Sequence, residues 1–291
     1  MTNKLKIPYA EFYITNVCNL TCAGCNHFND VKFRGFQEWD DYADQYSEWS
    51  KIVEFNHMAI LGGEPLLNPS FMSWLGGITT LWNRTNLRVI TNGFRLNFVP
   101  GLYDMVSKNK KIQVWVGIHN KMHKKEIFNQ VAKFMSGPIT YEYGQDNPYK
   151  EYVWCTDSND VKVKIEYNWW FHQGSIKKQE NVFTLHYSDP VRAHEQCHMK
   201  TCHQFIKGKL YKCGVVGVLE EFDQQFPLTL SPSDRTLMSS YQPLTLDHTY
   251  KQKSAFIQNL DKPIDQCRFC PEVYHGEMIY SQEKREIKTN S

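Results

Sequence analysis

The stretch IPYAEFYITNVCNLTCAGCNHF (7–28) decides how this chain is read. Its opening, residues 7–15, is rich in aromatic and β-branched side chains and reads as a β-strand. The strand runs directly into Cys18, Cys22 and Cys25, so three thiols leave one loop at C-x3-C-x2-C spacing. A four-iron cluster takes four ligands, and three thiolates leave one iron open. An open iron can receive an amine and a carboxylate from a bound molecule. With His27 as a fourth ligand, the same loop would instead hold zinc.

The rest of the chain limits the alternatives. With 291 residues, 41% apolar and 22% charged, it is a folded protein with room for one barrel-sized core, or for a larger domain and a smaller one. Its formal charge is +2, from 33 basic and 31 acidic side chains, which gives no strong nucleic-acid signal and no case for an anionic membrane surface. The first residues lack the apolar stretch of a signal peptide, and no run approaches the roughly 20 apolar residues of a membrane span. The expected location is cytoplasmic. In that compartment thiols stay reduced, so nine clustered cysteines point to metal ligation before disulfides.

Beyond the cysteine loop, short apolar runs alternate with segments of helical period, the pattern of βα units around a parallel sheet. Strands are expected at 57–61, 86–90 and 112–118, and further ones near 139–143 and 161–167. Trp39, Tyr42, Ala43, Tyr46 and Trp49 recur at helical spacing, as do Phe71, Trp74, Leu75, Ile78, Leu81 and Trp82 behind an Asn68-Pro69 start signal. A further helix is expected over 124–135. The sum is an α/β fold, a partial (β/α)6 barrel over residues 1–190. Past residue 190 the alternation gives way to cysteines, glycines and loops, and residues 191–291 are expected to form a small cysteine-rich domain ending in a polar tail, SQEKREIKTNS. Within it, Lys207-Gly208 sits between two alternating arms, a β-hairpin signal that sets Cys202 opposite Cys213.

In parallel barrels the chemistry lies at the carboxyl ends of strands. There, Gly62-Gly63-Glu64-Pro65 offers backbone that a ligand can approach and an acid that can accept from a cationic amine. Thr91-Asn92-Gly93 and His119-Asn120 end the next two strands, and Lys121, His123, Lys124 and Lys125 follow on the same rim.

The cysteine loop resembles the defining motif of the radical S-adenosylmethionine (radical SAM) superfamily, and Gly62 to Pro65 resembles that family's GGEP motif. The resemblance spans the first two-thirds of the chain. It implies a 4Fe-4S cluster on Cys18, Cys22 and Cys25. The methionine amino group of S-adenosylmethionine would be held by Gly62, Gly63 and Glu64, with Pro65 fixing the turn. Thr91 and Asn92 would line the cofactor pocket, and His119 would face the ribose or carboxylate. One departure is Gly24, where many members carry a large apolar residue against the adenine.

Residues 197–270 resemble the twitch domain, a relative of the SPASM domain that binds a second, auxiliary 4Fe-4S cluster. Five cysteines, Cys197, Cys202, Cys213, Cys267 and Cys270, are offered for four places. Hairpin pairing favours Cys202 with Cys213, and the family's spacing to Gly208 favours Cys197. The expected set is Cys202, Cys213, Cys267 and Cys270, with Cys197 as the substitute. A zinc ribbon is the competing use of the same thiols. Cys155 has no spaced partner and reads as an incidental thiol.

The resemblance implies an oxidoreductase-like enzyme that cleaves S-adenosylmethionine to methionine and a 5'-deoxyadenosyl radical, which takes a hydrogen atom from the substrate. Oxidation or bond formation is expected on a small polar metabolite (a sugar, an aminocyclitol or a nucleotide-like molecule) or on a peptide. A reductant such as flavodoxin or ferredoxin would supply the electron. A first strand beginning near residue 7 leaves no room for a leader-binding segment ahead of the barrel, which favours the metabolite or a peptide presented by a partner. Two other readings stay open at this stage: a zinc-stabilised binding module without catalysis, and an activase that places a glycyl radical on a partner protein.

Overall fold

The computed structural model describes residues 4–22, 24–147, 150–167 and 174–272. The polar tail lies outside the described residues. In chain order, β1 (Leu5–Tyr13) is followed by α1 (Ala43–Ile52), β2 (Val53–Leu61), α2 (Phe71–Leu81), β3 (Asn86–Thr91), α3 (Leu102–Lys108), β4 (Ile112–Ile118) and α4 (Lys124–Phe134). Then come β5 (Thr140–Asn147), β6 (Lys150–Thr156), β7 (Lys162–Tyr167), β8 (Ile176–Gln179), β9 (Val182–Leu185) and α5 (Pro190–Gln196). The chain continues with β10 (His203–Ile206), β11 (Lys209–Tyr211), α6 (Gly214–Gln225), α7 (Pro232–Ser239) and α8 (Tyr250–Gln258).

Nine strands form one sheet in the order β11-β10-β1-β2-β3-β4-β7-β6-β5. From β10 through β7 every neighbouring pair is parallel, as the βα alternation predicts for a mixed α/β fold. The strand count departs from six repeated units. Among the described residues of 139–167 there is no helix; β5, β6 and β7 are joined by connections of two and five residues and pair antiparallel. Connections this short cannot make a parallel crossover, which needs a dozen or more. The helical content past residue 190 was also under-read: α5 to α8 lie there, beside the expected hairpin.

Start signals shift slightly. Ser70, not Asn68, precedes α2, and the Asn68 amide instead donates to Ile14 O and Gln37 O, tying the helix entry to the exit of β1. The hairpin turn falls on Lys207 and Gly208, at φ 49° and 71°, the left-handed pair of a type I′ turn. β10 then pairs parallel with β1, Ala10 opposite His203, so the hairpin extends the main sheet.

The sheet has two unlike faces. Along β4, Ile112, Val114, Val116 and Ile118 are buried, while Gln113, Trp115 and Gly117 are half-buried. The first set joins Phe12, Ile60, Val89, Val163 and Ile165 in the main core with α1 to α4. A second core gathers Tyr13, Phe28 and Phe33 against Val218 and Phe222 of α6 and against Phe269. It clamps the region just after the cysteine triplet.

Candidate active site

The cysteine loop and the Gly62–Pro65 turn are built against one another. Gly63 N donates to Thr15 O at 2.8 Å and Glu64 N to Val17 O at 2.8 Å. A Cβ on Gly62 would lie 2.5 Å from Thr15 O, and one on Gly63 2.3 Å from Val17 O. Any side chain at either position would push the turn off the loop. The backbone these glycines approach is thus that of residues 15–17, the base of the cysteine loop.

Within the loop, Cys25 N donates to Cys22 O and Phe28 N to Cys25 O, closing two successive turns. Gly24 sits at φ 68°, and a Cβ on Gly174 would come within 2.8 Å of Gly24 Cα. The missing bulky residue therefore corresponds to a left-handed backbone in close contact with a second glycine. Three N–H groups point at two sulfurs: Leu20 N to Cys18 Sγ at 3.4 Å, Asn92 Nδ2 to Cys18 Sγ at 3.9 Å and Asn29 Nδ2 to Cys25 Sγ at 3.8 Å. Burial pushes the Cys18 thiol well above its ordinary range, and the charges of Glu64, Cys25 and Cys22 push it further. Burial likewise raises Cys25.

A neutral thiol is a weak acceptor, whereas donors aimed at sulfur suit thiolates on a metal or cluster. The loop thus fits such a group by its donor set. His27 is half-buried, its pKa lowered to about 4 by that burial, and it places Nε2 2.9 Å from Gln204 Nε2. That nitrogen is engaged by Gln204, away from the role of a fourth ligand.

The turns after β2 and β3 are locked together by Glu64. Its Oε1 accepts from Leu66 N at 3.1 Å and from the Thr91 hydroxyl at 2.7 Å, and its Oε2 accepts from Asn92 N at 2.7 Å. The side chain is fully buried, and burial raises its pKa to about 7 against the lowering effect of those bonds. Pro65 opens a short 3-10 turn capped by Glu64. Asn92 also donates to Asn19 Oδ1 at 2.7 Å, reaching back into the cysteine loop. His119 stands at the end of β4, its pKa lowered to about 4 by burial and by His123. Strand register sets Tyr13 beside Leu61, Ile60 beside Val89, Thr91 beside Val116 and Ile118 beside Tyr167, so all these turns share one end of the sheet.

The sheet face away from the helices carries residues that sequence reading missed. Arg88 lies 4.0 Å from the Trp115 ring and 5.8 Å from that of Tyr9. Lys164 is buried among Glu166 (2.7 Å), Asp146 (3.2 Å) and the rings of Trp115 and Tyr152. Glu11 is buried, accepts from Tyr9 and Gln204 at 2.9 Å each, and is raised by burial. The available signal was charge at alternate positions of otherwise apolar strands, as in KVKIEY (162–167).

Four of the five C-terminal cysteines border one small cavity of about 30 Å³: Cys197 just after α5, Cys213 just before α6, and Cys267 and Cys270 around the 265–269 turn. Lys212 and His194 border it too. Cys202 does not line it; burial raises its thiol strongly, and the charge of Glu11 raises it further. Cys155 is buried in the main core, its thiol pushed up to about 11 by burial. No cysteine is in a disulfide, and among the described residues no three His, Cys, Asp or Glu side chains stand in ready-closed metal geometry.

No protein-family model matches the chain, and no curated protein matches it. Among solved structures it is similar to Streptococcus suis SuiB bound to S-adenosylmethionine, with 20% identity and a TM-score of 0.33 over 42% of this chain and 28% of that one. It is also similar to anSMEcpe with bound AdoMet, at 15% identity and a TM-score of 0.34 over 45% of this chain and 40% of that one. A third similar structure is anSMEcpe with AdoMet and the Cp18Cys peptide, at 17% identity and a TM-score of 0.33 over 45% and 41% of the two chains. The match spans less than half of each of those proteins, and at these scores the likeness carries no functional argument. Among the described residues no helix is long and apolar enough to cross a membrane.

Proposed function

We propose that this chain is a radical SAM enzyme, holding a 4Fe-4S cluster on Cys18, Cys22 and Cys25. The observation that carries the reading is the set of N–H donors aimed at half-buried cysteine sulfurs in a loop backed by the Gly62–Gly63 turn. Held there by the three thiols, with the Gly62–Pro65 turn beside it, a cluster with S-adenosylmethionine would supply one-electron chemistry for taking a hydrogen atom from substrate.

The chain's own groups do the positioning. Leu20 N, Asn29 and Asn92 stabilise thiolate charge on Cys18 and Cys25. Glu64 first serves as a brace, joining the Pro65 turn to Thr91 and Asn92. Oε2 accepts from Asn92 N and keeps a second acceptor position for the cofactor's ammonium. Gly62, Gly63 and Pro65 fix the turn that bears it, and Thr91, Asn92 and His119 line the adjoining strand ends. Trp115, Tyr152 and the Lys164–Glu166 pair on the open sheet face hold the substrate and exclude water from it.

Cys197, Cys213, Cys267 and Cys270 are the set proposed for an auxiliary 4Fe-4S cluster, with Cys202 kept aside by Glu11. Lys212 borders that cavity and offsets thiolate charge there. A fully ligated cluster there suits electron transfer, hence net oxidation or bond formation on a small polar metabolite or a peptide.

The test is anaerobic reconstitution followed by reduction with dithionite or flavodoxin and assay of 5'-deoxyadenosine. The wild type should form it and Cys18→Ala should not. A reduced, cluster-bearing wild type that forms none overturns the proposal.

A further inference from the structure

Beside His119, at the same end of the sheet, lies an open groove of about 410 Å³ lined by Lys121, Met122, Lys124, Lys125, Phe128, Tyr143 and Tyr167. Three of the seven lining residues are cationic and none is acidic. Its apolar groups are unusually open to solvent for their type: Met122 is 87% exposed and Tyr143 75%. Lys124 lies 4.8 Å from the Tyr167 ring, which orients one cation over the groove floor.

The wall bearing Tyr143 is β5, the last strand of the sheet, which pairs only with β6 among the described residues. Tyr141, Glu142, Tyr143, Gln145 and Asp146 are all exposed, so both faces of this strand and one backbone edge meet solvent. The period-2 alternation sorts their chemistry. Glu142 pairs with Trp154, which pairs with Lys164, so Glu142 shares the Lys164 face, away from the groove, while Tyr141 and Tyr143 share the groove's side; the register shifts between Gln145 and Asn147. Glu151 of β6 acts on Tyr167 from beyond the lining, and Glu126 follows Lys125 on α4.

An exposed edge is a template for one more strand, and a cationic, partly apolar groove beside it selects what that strand carries. We propose that β5 and this groove bind an extended acidic polypeptide segment. Its main chain pairs with the free edge of β5, and its alternate carboxylates face Lys121, Lys124 and Lys125. Apolar side chains between them meet Met122, Phe128 and Tyr143. Calling this segment the substrate, or the part that presents it, rests on the radical SAM reading above; the binding itself does not.

The probe is a fluorescein-labelled (Glu-Val)5 peptide, titrated by anisotropy against the full reconstituted chain, with (Lys-Val)5 as its counterpart. The acidic peptide is expected to bind, and to weaken at least about tenfold in the K121E/K124E/K125E variant and again when salt is raised. Two further versions of the acidic peptide carry N-methyl groups on alternate residues, one blocking each edge. One should lose affinity by about tenfold or more and the other should keep it. Equal binding of acidic and basic peptides, indifference to the lysine reversal, or equal binding of both N-methylated versions overturns the proposal. So does displacement by inorganic phosphate at the peptide's own half-saturating concentration, which would mark a small-anion site. Deoxyadenosine formation without peptide is followed in parallel: if the wild type forms none, the enzyme reading fails while the binding result stands by itself.

Discussion

The Thr91 hydroxyl donates to Glu64 Oε1 at 2.7 Å, a buried bond that joins the turn after β2 to the turn after β3. Removing the carboxylate leaves that hydroxyl, Leu66 N and Asn92 N without this acceptor. Each such buried group costs about 1–3 kcal/mol. Glu64→Ala should therefore lower unfolding free energy by about 2–5 kcal/mol, read from urea titrations, and Glu64→Gln by less.

The same carboxylate gives a pH signature. Its folded pKa of about 7 lies above the ordinary carboxyl value of 4.5, so between the two the folded state holds a proton that the unfolded state has lost. The associated stability is fully present below pH 4.5 and is lost as pH rises through about 7. His119, lowered to about 4 from 6.5, acts in the opposite sense, its stability contribution being lost as pH falls through that window. The difference between wild type and Glu64→Gln isolates the first effect. Wild type should lose more stability than Glu64→Gln between pH 5 and 7.5; parallel profiles would refute the assignment.

Asn29 and Asn92 each point an amide N–H at a thiol of the loop. Hydrogen bonds to cluster sulfurs are among the factors that set reduction potential. Because they offset thiolate charge, Asn29→Leu should shift the cluster potential to more negative values, measured by EPR-monitored titration. An unchanged or more positive potential would contradict it.

Iron content separates the C-terminal cysteines. Cys202→Ser should keep the wild-type iron content, since that thiol faces Glu11, whereas Cys213→Ser should lose about half if each site holds one four-iron cluster. Loss of iron in Cys202→Ser with retention in Cys197→Ser would reverse the proposed set.

Phe222 of α6 meets the rings of Phe28, Phe33, Phe183 and Phe226 at 5.0–5.7 Å and is fully buried. Phe222→Ala should cost about 3–5 kcal/mol in urea unfolding. Because Phe28 lies three residues after Cys25, the variant should also release iron faster to a chelator than wild type.

Much of the parallel half was legible because its strands are bounded by turn chemistry and its helices repeat at 3.6. The strand expected at 112–118 is β4, with the same bounds. What escaped reading is long-range. Alternation in 139–143 announces a strand but not its direction, and only the absence of a helix before Lys162 makes β5 and β6 antiparallel. The hairpin pairs 204–206 with 209–211, short of Cys202 and Cys213, and of these two only Cys213 borders the C-terminal cavity; hairpin pairing does not say where a thiol turns. Arg88, Trp115 and Lys164 were visible as residues, but their meeting depends on three strands being side by side.

The pairing of Ala10 with His203 also sets a timetable. As the chain leaves the ribosome, the edge of β1 emerges long before the partner that covers it. At about 5–20 residues per second, the wait is roughly 10 to 40 s. Through that interval the strand feeding the first cysteine loop lacks one neighbour, and the β1–β10 contact closes only when most of the polypeptide has been made. The newborn protein thus has a period, fixed by topology, in which one edge of the strand that feeds its first thiols is uncovered.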